Sequence, residues 1–270
     1  MLWHEQSWPA IRELEKKTPV VVPIASCEQH GHHLPVFVDS IQVTSIAERV
    51  EKTLGDRVLL TPTLWLGSSH HHNDFPGTIS VRPSLFSEMI KDVARSILRA
   101  GFRRIFFLNG HGGNVVPGSQ ALSELVAEDD GANESFLVLA SWWDACRDVM
   151  GPEHQGTEQA GVIHACEYET SLILMLRPDL VDMDKVRPAG AVLDNAWFAS
   201  DSRRASRVNV FGRFNRWTAH GFLGKPEAAT AAKGQSIFDA VTDHLTEFLG
   251  EFADWPELPA IGPSSPPHCG

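Results

Sequence analysis

Val20-Val21-Val22-Pro23-Ile24-Ala25-Ser26-Cys27-Glu28-Gln29-His30-Gly31 is the stretch on which the fold turns. Residues 20–25 are apolar, mostly β-branched and introduced by Pro19, and no polar residue alternates through them. That pattern reads as a short strand buried on both faces. It runs straight into a polar segment ending in glycine, as a strand does where it leaves a sheet. Asp39-Ser40-Ile41-Gln42 then resembles a capping box, and Ile41, Ile46, Ala47, Val50 and Leu54 recur at helical spacing. Residues 58–64 read as a second strand. The polar segment 67–78 follows, with three consecutive histidines and the turn signal Pro76-Gly77-Thr78. A helix is predicted over 84–100 with Leu85, Met89, Ile90, Val93, Ile97 and Leu98 on its buried face, closed by Gly101. Residues 105–108 form a third strand entering Asn109-Gly110-His111-Gly112-Gly113-Asn114. A helix to about residue 127, a strand over 136–140 and helices near 164–176 and 226–250 complete the chain.

Short buried strands alternating with amphipathic helices predict an α/β fold: a single three-layer α/β/α domain with a mostly parallel sheet, over residues 1–255. In such sheets the ligand lies beyond the carboxyl ends of the strands. The polar segments 26–39, 67–78 and 109–114 all follow strands and so should share one rim. The tail, residues 256–270, carries five prolines and is expected to be extended and flexible.

Composition narrows the function. The 270 residues are 43% hydrophobic and 21% charged, enough to bury a sizeable core. A balance of 23 basic against 34 acidic side chains gives −11, which argues against nucleic acid or an anionic membrane as partner. No apolar run approaches a membrane span, and MLWHEQSWPA shows neither the basic nor the apolar region of a secretory signal. Cys27, Cys146, Cys166 and Cys269 form no CxxC pair, as expected of thiols in a reducing, cytoplasmic setting. Against one tyrosine stand 13 histidines, clustered at 30–33 and 70–72 with His111 and His164 beyond.

Glu28 and His30, two apart on an extended segment, can project to one side. Asp39 stands at a helix start and His111 in a glycine-rich turn after another strand. Two carboxylates and two imidazoles suit Zn²⁺, Mn²⁺ or Fe²⁺, and a bridging carboxylate lets such a set hold a pair of ions. Each piece also has a plainer reading. Asp39 can be only a helix cap, Gly112 and Gly113 only a tight turn, the triple histidine only solvated surface, and Cys27 only a structural thiol.

The motifs carry a resemblance. Glu28-Gln29-His30-Gly31-His32-His33-Leu34-Pro35 followed by Asp39 resembles the E-Q-H-G-x-H-L-P…D signature of the creatininase family, the creatinine amidohydrolase-like metal hydrolases. His72-Asn73-Asp74-Phe75-Pro76-Gly77-Thr78 is similar to its H-x-x-F-P-G-T, and residues 109–114 match its N-G-H-G-G-N. His164-Ala165 with Glu169-Thr170-Ser171 resembles H-A-G-x-x-E-T-S, with Cys166 in place of the glycine. Residues 224–234 are similar to the closing G-x-P…A-T-x-x-x-G.

The resemblance implies two divalent metal ions. Glu28 and His111 would hold one, His30 the other, and Asp39 would bridge them. Glu169 would be a ligand of the second ion or a substrate contact, and His164 the acid/base, its pKa near 6.5 suiting it to protonate a leaving nitrogen. Gly77 and Thr78 would line the substrate pocket, with Trp142 or Trp143 as an aromatic wall. A water shared by the ions would attack a non-peptide amide C–N bond, in a cyclic amide or formamide. A homo-oligomer, commonly a hexamer, is also implied, with Trp and Phe positions in 195–217 available for its interface.

Two positions depart from creatininases. The second residue after the loop histidine, a metal-binding glutamate there, is Gly113 here. The tryptophan four residues before the acid/base histidine is Ala160. These departures argue against creatinine as substrate and leave the second metal one carboxylate short. The alternatives are a peptidase trimming a modified peptide, as in mycofactocin maturation, and a catalytically lapsed metal-binding homologue.

Overall fold

A computed structural model describes residues 1–187, 193–200 and 206–257. Its main elements, in chain order, are β1 (Val20–Ile24), α1 (Val38–Leu54), β2 (Leu59–Leu60), α2 (Pro83–Arg99), β3 (Arg104–Asn109), α3 (Val115–Glu128), β4 (Phe136–Ser141), α4 (Glu167–Leu176) and α5 (Ala231–Ala253). The sheet is parallel with strand order β2-β1-β3-β4. Val20 pairs with Ile105 and Ile24 with Asn109, so β1 and β3 end level with each other.

Every β1 residue is buried, because successive side chains feed two different cores. Val21, Phe106 and Leu108 pack with α1, α4 and α5 through Ile46, Val50, Leu172, Ile237 and Val241. Val20, Val22, Ile24, Ile105 and Phe107 pack with α2 and α3 through Phe86, Ile90, Ile97 and Leu122. This is the α/β fold expected, with helices on both faces. Gly101, with φ +97°, closes α2 in a conformation that glycine takes without strain.

Two local expectations change. The strand expected over 58–64 pairs regularly only at Leu59–Leu60, and Pro62 interrupts it for want of an N–H. Pairing resumes at a single bridge, Ile24 to Leu64. Asp39 does not cap α1: the N-cap is Phe37, without a side-chain hydrogen bond, and Asp39 lies in the first turn.

The chain winds outward from β1 to β2, then crosses back over β1 to β3. The sheet therefore reverses its winding between β1 and β3, the position where parallel sheets open a crevice for ligands. Among the described residues no helix is long and apolar enough to cross a membrane. The proline-rich tail, with Cys269, lies outside the described residues from 258 onward, as do 201–205 within the aromatic stretch 195–217, of which Trp197 and Phe211 are exposed.

Candidate metal centre

Four loop segments meet at this crevice, and the two asparagines of the 109–114 loop tie them together. Asn109 Oδ1 accepts the His111 N–H at 3.1 Å, while its Nδ2 donates to the His111 carbonyl at 2.7 Å and to Ser141 Oγ at 2.9 Å. Asn114 Nδ2 donates to the Ala25 carbonyl and its Oδ1 accepts the Ser68 N–H, both at 2.9 Å. One side chain thus joins the end of β1 to the 67–69 segment.

Glu28, His30, Asp39, His111, His164 and Glu169, six of the sequence candidates, converge here, all buried. His111 Nδ1 lies 3.1 Å from Asp39 Oδ2 and 3.2 Å from Glu28 Oε2. His30 Nε2 lies 3.1 Å from Asp39 Oδ1 and 4.0 Å from Glu169 Oε1. Asp39 therefore turns one carboxylate oxygen to each imidazole, forming two adjoining triads.

Backbone carbonyls fix which nitrogen of each ring faces inward. His30 Nδ1 donates to the Glu28 carbonyl at 3.1 Å, and His111 Nε2 to the Ser68 carbonyl at 3.2 Å. That leaves His30 Nε2 and His111 Nδ1 free to bind an ion, the orientation that histidine ligands need from their outer hydrogen bond. Ser26 Oγ donates to Asp39 Oδ2 at 2.6 Å and Ser69 Oγ to Glu28 Oε2, holding both carboxylates.

The electrostatics are those of cation sites. Burial opposes charge on His30, yet Asp39, Glu169 and Glu28 raise its pKa to about 9. His111 is likewise held well above the ordinary value against burial, by Glu28 and Asp39. Burial would push Glu28 up, but the imidazoles of His111, His72 and His164 hold it well below the usual carboxylate range. For Asp39, burial and the Glu28 charge are outweighed by His30 and His111. Glu169 goes the other way: burial, offset only partly by His30, raises it to about 7. Among the described residues, His30 Nε2 and Glu169 Oε2 are buried without a hydrogen-bond partner. A ring nitrogen and a carboxylate oxygen left so beside Asp39 fit a divalent ion, and ligand atoms of His30, Asp39 and Glu169 lie within 4.8 Å of one another.

His164 departs from expectation. Burial and the neighbouring His30 lower its pKa well below the ordinary imidazole value, which favours the neutral ring over the imidazolium expected of a proton donor. Its Nε2 lies 2.9 Å from the Gln29 carbonyl, to which it donates, and its Nδ1 faces Glu28 Oε1 at 3.6 Å.

The cavity over the triads holds about 250 Å³ and is lined by Trp143, Val162, Ile163 and Phe214 beside the polar groups. Trp142 is not among its lining: the ring is fully buried in the core with Cys146 and Met150. Gly77 and Thr78 are not in the cavity wall; Gly77 is exposed, and Thr78 Oγ1 accepts the Gln29 N–H at 3.3 Å and donates to the His72 carbonyl at 3.3 Å. Cys27 is no nucleophile candidate, since burial raises its thiol.

Other site residues were not singled out from the sequence. The triple histidine forms a single 3₁₀ turn, which points each ring differently. His70 is exposed, His72 Nε2 lies 3.6 Å from Glu28 Oε1, and His71 stacks on His111 with ring centres 5.6 Å apart. Gln29 Nε2 donates to His72 Nδ1 at 2.9 Å. The Phe214 ring lies 4.2 Å from that of His72 and 4.6 Å from that of His164, and Arg213 anchors it through Asp74 at 3.0 Å. The run of histidines was a usable signal; Phe214 had none.

A family profile described as Creatininase, creatinine amidohydrolase, matches residues 4–249. The creatinine amidohydrolase of Pseudomonas putida is 30% identical over 86% of this chain and 88% of its own. The mycofactocin precursor peptide peptidase of Mycobacterium ulcerans is 29% identical, over 93% of this chain and 88% of its own. A solved structure named "Creatininase Mn" superposes with a TM-score of 0.73 at 26% identity, covering 93% of this chain and 97% of that one.

Proposed function

The chain belongs to the creatininase family of hydrolases, and on that premise we propose that it is a binuclear metal-dependent amidohydrolase cleaving a non-peptide amide C–N bond of a small molecule. The observation that carries this reading is the division of Asp39, one oxygen toward His111 and the other toward His30. Glu28, Asp39 and His111 would hold one ion, and His30, Asp39 and Glu169 the other. When bound, two divalent ions supply Lewis-acid polarisation of the amide carbonyl and acidify a water.

The residues around them set the proton path. His164 begins neutral, with Nδ1 facing the cavity, so its first task is to accept a proton from the attacking water. The imidazolium so formed then protonates the departing nitrogen. Gln29, through its carbonyl, fixes the tautomer that makes this order possible. Phe214 and Trp143 give the substrate an apolar wall, a role for which Ala160 offers no aromatic ring. A cavity of about 250 Å³ suits a small cyclic amide or formamide. Gly113 and Ala160 set it apart from a site for creatinine.

The test pairs metal content with turnover. We expect about two equivalents of metal in the wild type, falling toward one in His30→Ala, and loss of hydrolysis on Glu28→Ala or His111→Ala across a library of cyclic amides and formamides. Unchanged hydrolysis in the Glu28 and His111 variants would overturn the proposal. Cleavage of a peptide by the wild type, with the amide library untouched, would select the peptidase reading that the mycobacterial relatives favour.

A further inference from the structure

Gly113 has a neighbour that bears on the metal site. A Cβ built on it would run into the Ser68 carbonyl oxygen and His111 Nε2, and would lie 2.8 Å from His71 Cε1, where real Cβ atoms essentially never come within 3.0 Å. The His71 imidazole thus fills the space that a side chain at position 113 would enter. Its ring lies nearly parallel to that of His111, at 18°. A donor nitrogen of His71 falls within 4.8 Å of donor atoms of both Glu28 and His111. Among the described residues, neither ring nitrogen of His71 has a hydrogen-bond partner, although the ring is half-buried and lines the cavity.

From this juxtaposition we infer that His71 is a side-chain ligand of the ion held by Glu28, Asp39 and His111, its imidazole packed beside a loop that has no room for a side chain at position 113. The inference rests on the binuclear reading above. It has a consequence for metal choice. Adding an imidazole nitrogen to a carboxylate-rich set favours Zn²⁺, Co²⁺ or Fe²⁺ over Mn²⁺.

Metal-stripped full-length protein titrated with Co²⁺ tests it by visible absorption and by proton NMR. The wild type should take up two Co²⁺ and show three exchangeable, hyperfine-shifted imidazole N–H signals, from His30, His71 and His111. His71→Ala should weaken one of the two sites by roughly 10- to 100-fold, leave the other unchanged and show two such signals. Added free imidazole should restore its spectrum, which repair of a purely structural defect would not do. His71→Asp should raise the Mn²⁺ preference of the same site. Two shifted signals in the wild type, or two undiminished Co²⁺ sites in a folded His71→Ala, would overturn the assignment while leaving the binuclear reading intact. Failure of the wild type to bind Co²⁺ at all would overturn both. His70→Ala, from the exposed neighbour, is the control.

Discussion

Replacing Gly113 with alanine puts a methyl group where the 109–114 loop crosses the 67–69 segment. The new carbon would collide with the Ser68 carbonyl and His111 Nε2, the two ends of a 3.2 Å hydrogen bond. One of them must move by about an ångström. Leaving a buried group without its partner costs about 1–3 kcal/mol, and forcing a packed site apart costs about 1–3 kcal/mol more. The sum, about 2–6 kcal/mol, corresponds at roughly 2–4 °C per kcal/mol to a fall in Tm of about 4–24 °C for a chain this long. Gly112 is the internal control, because a Cβ there meets nothing within 4 Å. Its alanine variant should stay within about 0.5 kcal/mol of wild type. Thermal and chemical unfolding of the three proteins after chelator treatment isolates the steric effect from metal binding. With metal restored, Gly113→Ala should also bind more weakly, by about 10- to 100-fold, since His111 loses the bond that orients its ring. If Gly113→Ala proved as stable as Gly112→Ala, the loop would have room for a side chain, and the steric account of the missing carboxylate would be wrong.

Metal uptake should release protons. His30, raised to about 9, and His111, held well above its ordinary value, favour a proton at pH 7 where an ion would sit, and Glu169, raised to about 7, holds part of another. Calorimetry in two buffers of different ionisation enthalpy should therefore report between about two and three protons released on filling both sites, and no buffer dependence would refute this. His33 contributes to acid stability: burial, with His30 nearby, lowers it to about 4. Below pH 6.5 the unfolded chain takes up a proton that the folded chain refuses until about pH 4. This side chain's contribution is thus full above 6.5 and falls by about 3 kcal/mol as pH drops through that window. Urea unfolding of wild type and His33→Gln at pH 7 and 5 should show the gap between them narrowing; a constant gap would count against it. Phe214→Ala should raise KM for the best substrate about tenfold or more while leaving bound metal unchanged, and equal KM values would remove Phe214 from the substrate wall.

The fold was legible because its strands are short apolar runs and its helices carry one apolar face. β2 was overestimated for a local reason, Pro62, whose missing N–H breaks a run that composition alone extends to Leu64. The loop motifs pointed to the rim, and the parallel topology brought them together there. Less accessible was which rings of a histidine run turn inward. A 3₁₀ turn rotates successive side chains by about 120°, so His70, His71 and His72 meet solvent, His111 and Glu28 respectively, and only the turn type decides which. Phe214 gave no warning because it reaches His72 from a segment over a hundred residues away, fixed by the Arg213–Asp74 pair.

Asp39 shows why a carboxylate's local context and its function can point in different directions. At a helix start the exposed N–H groups favour a negative charge, which is reason enough for an aspartate there. The cap itself is absent, however: α1 begins after Phe37, and neither Asp39 oxygen is spent on a backbone N–H of its own helix. Ser26 holds one oxygen, and the two imidazoles take up the rest. A side chain used as a cap would face the helix axis and could not divide itself between His30 and His111. The helix start thus supplies the electrostatic support while the side chain remains free to bridge.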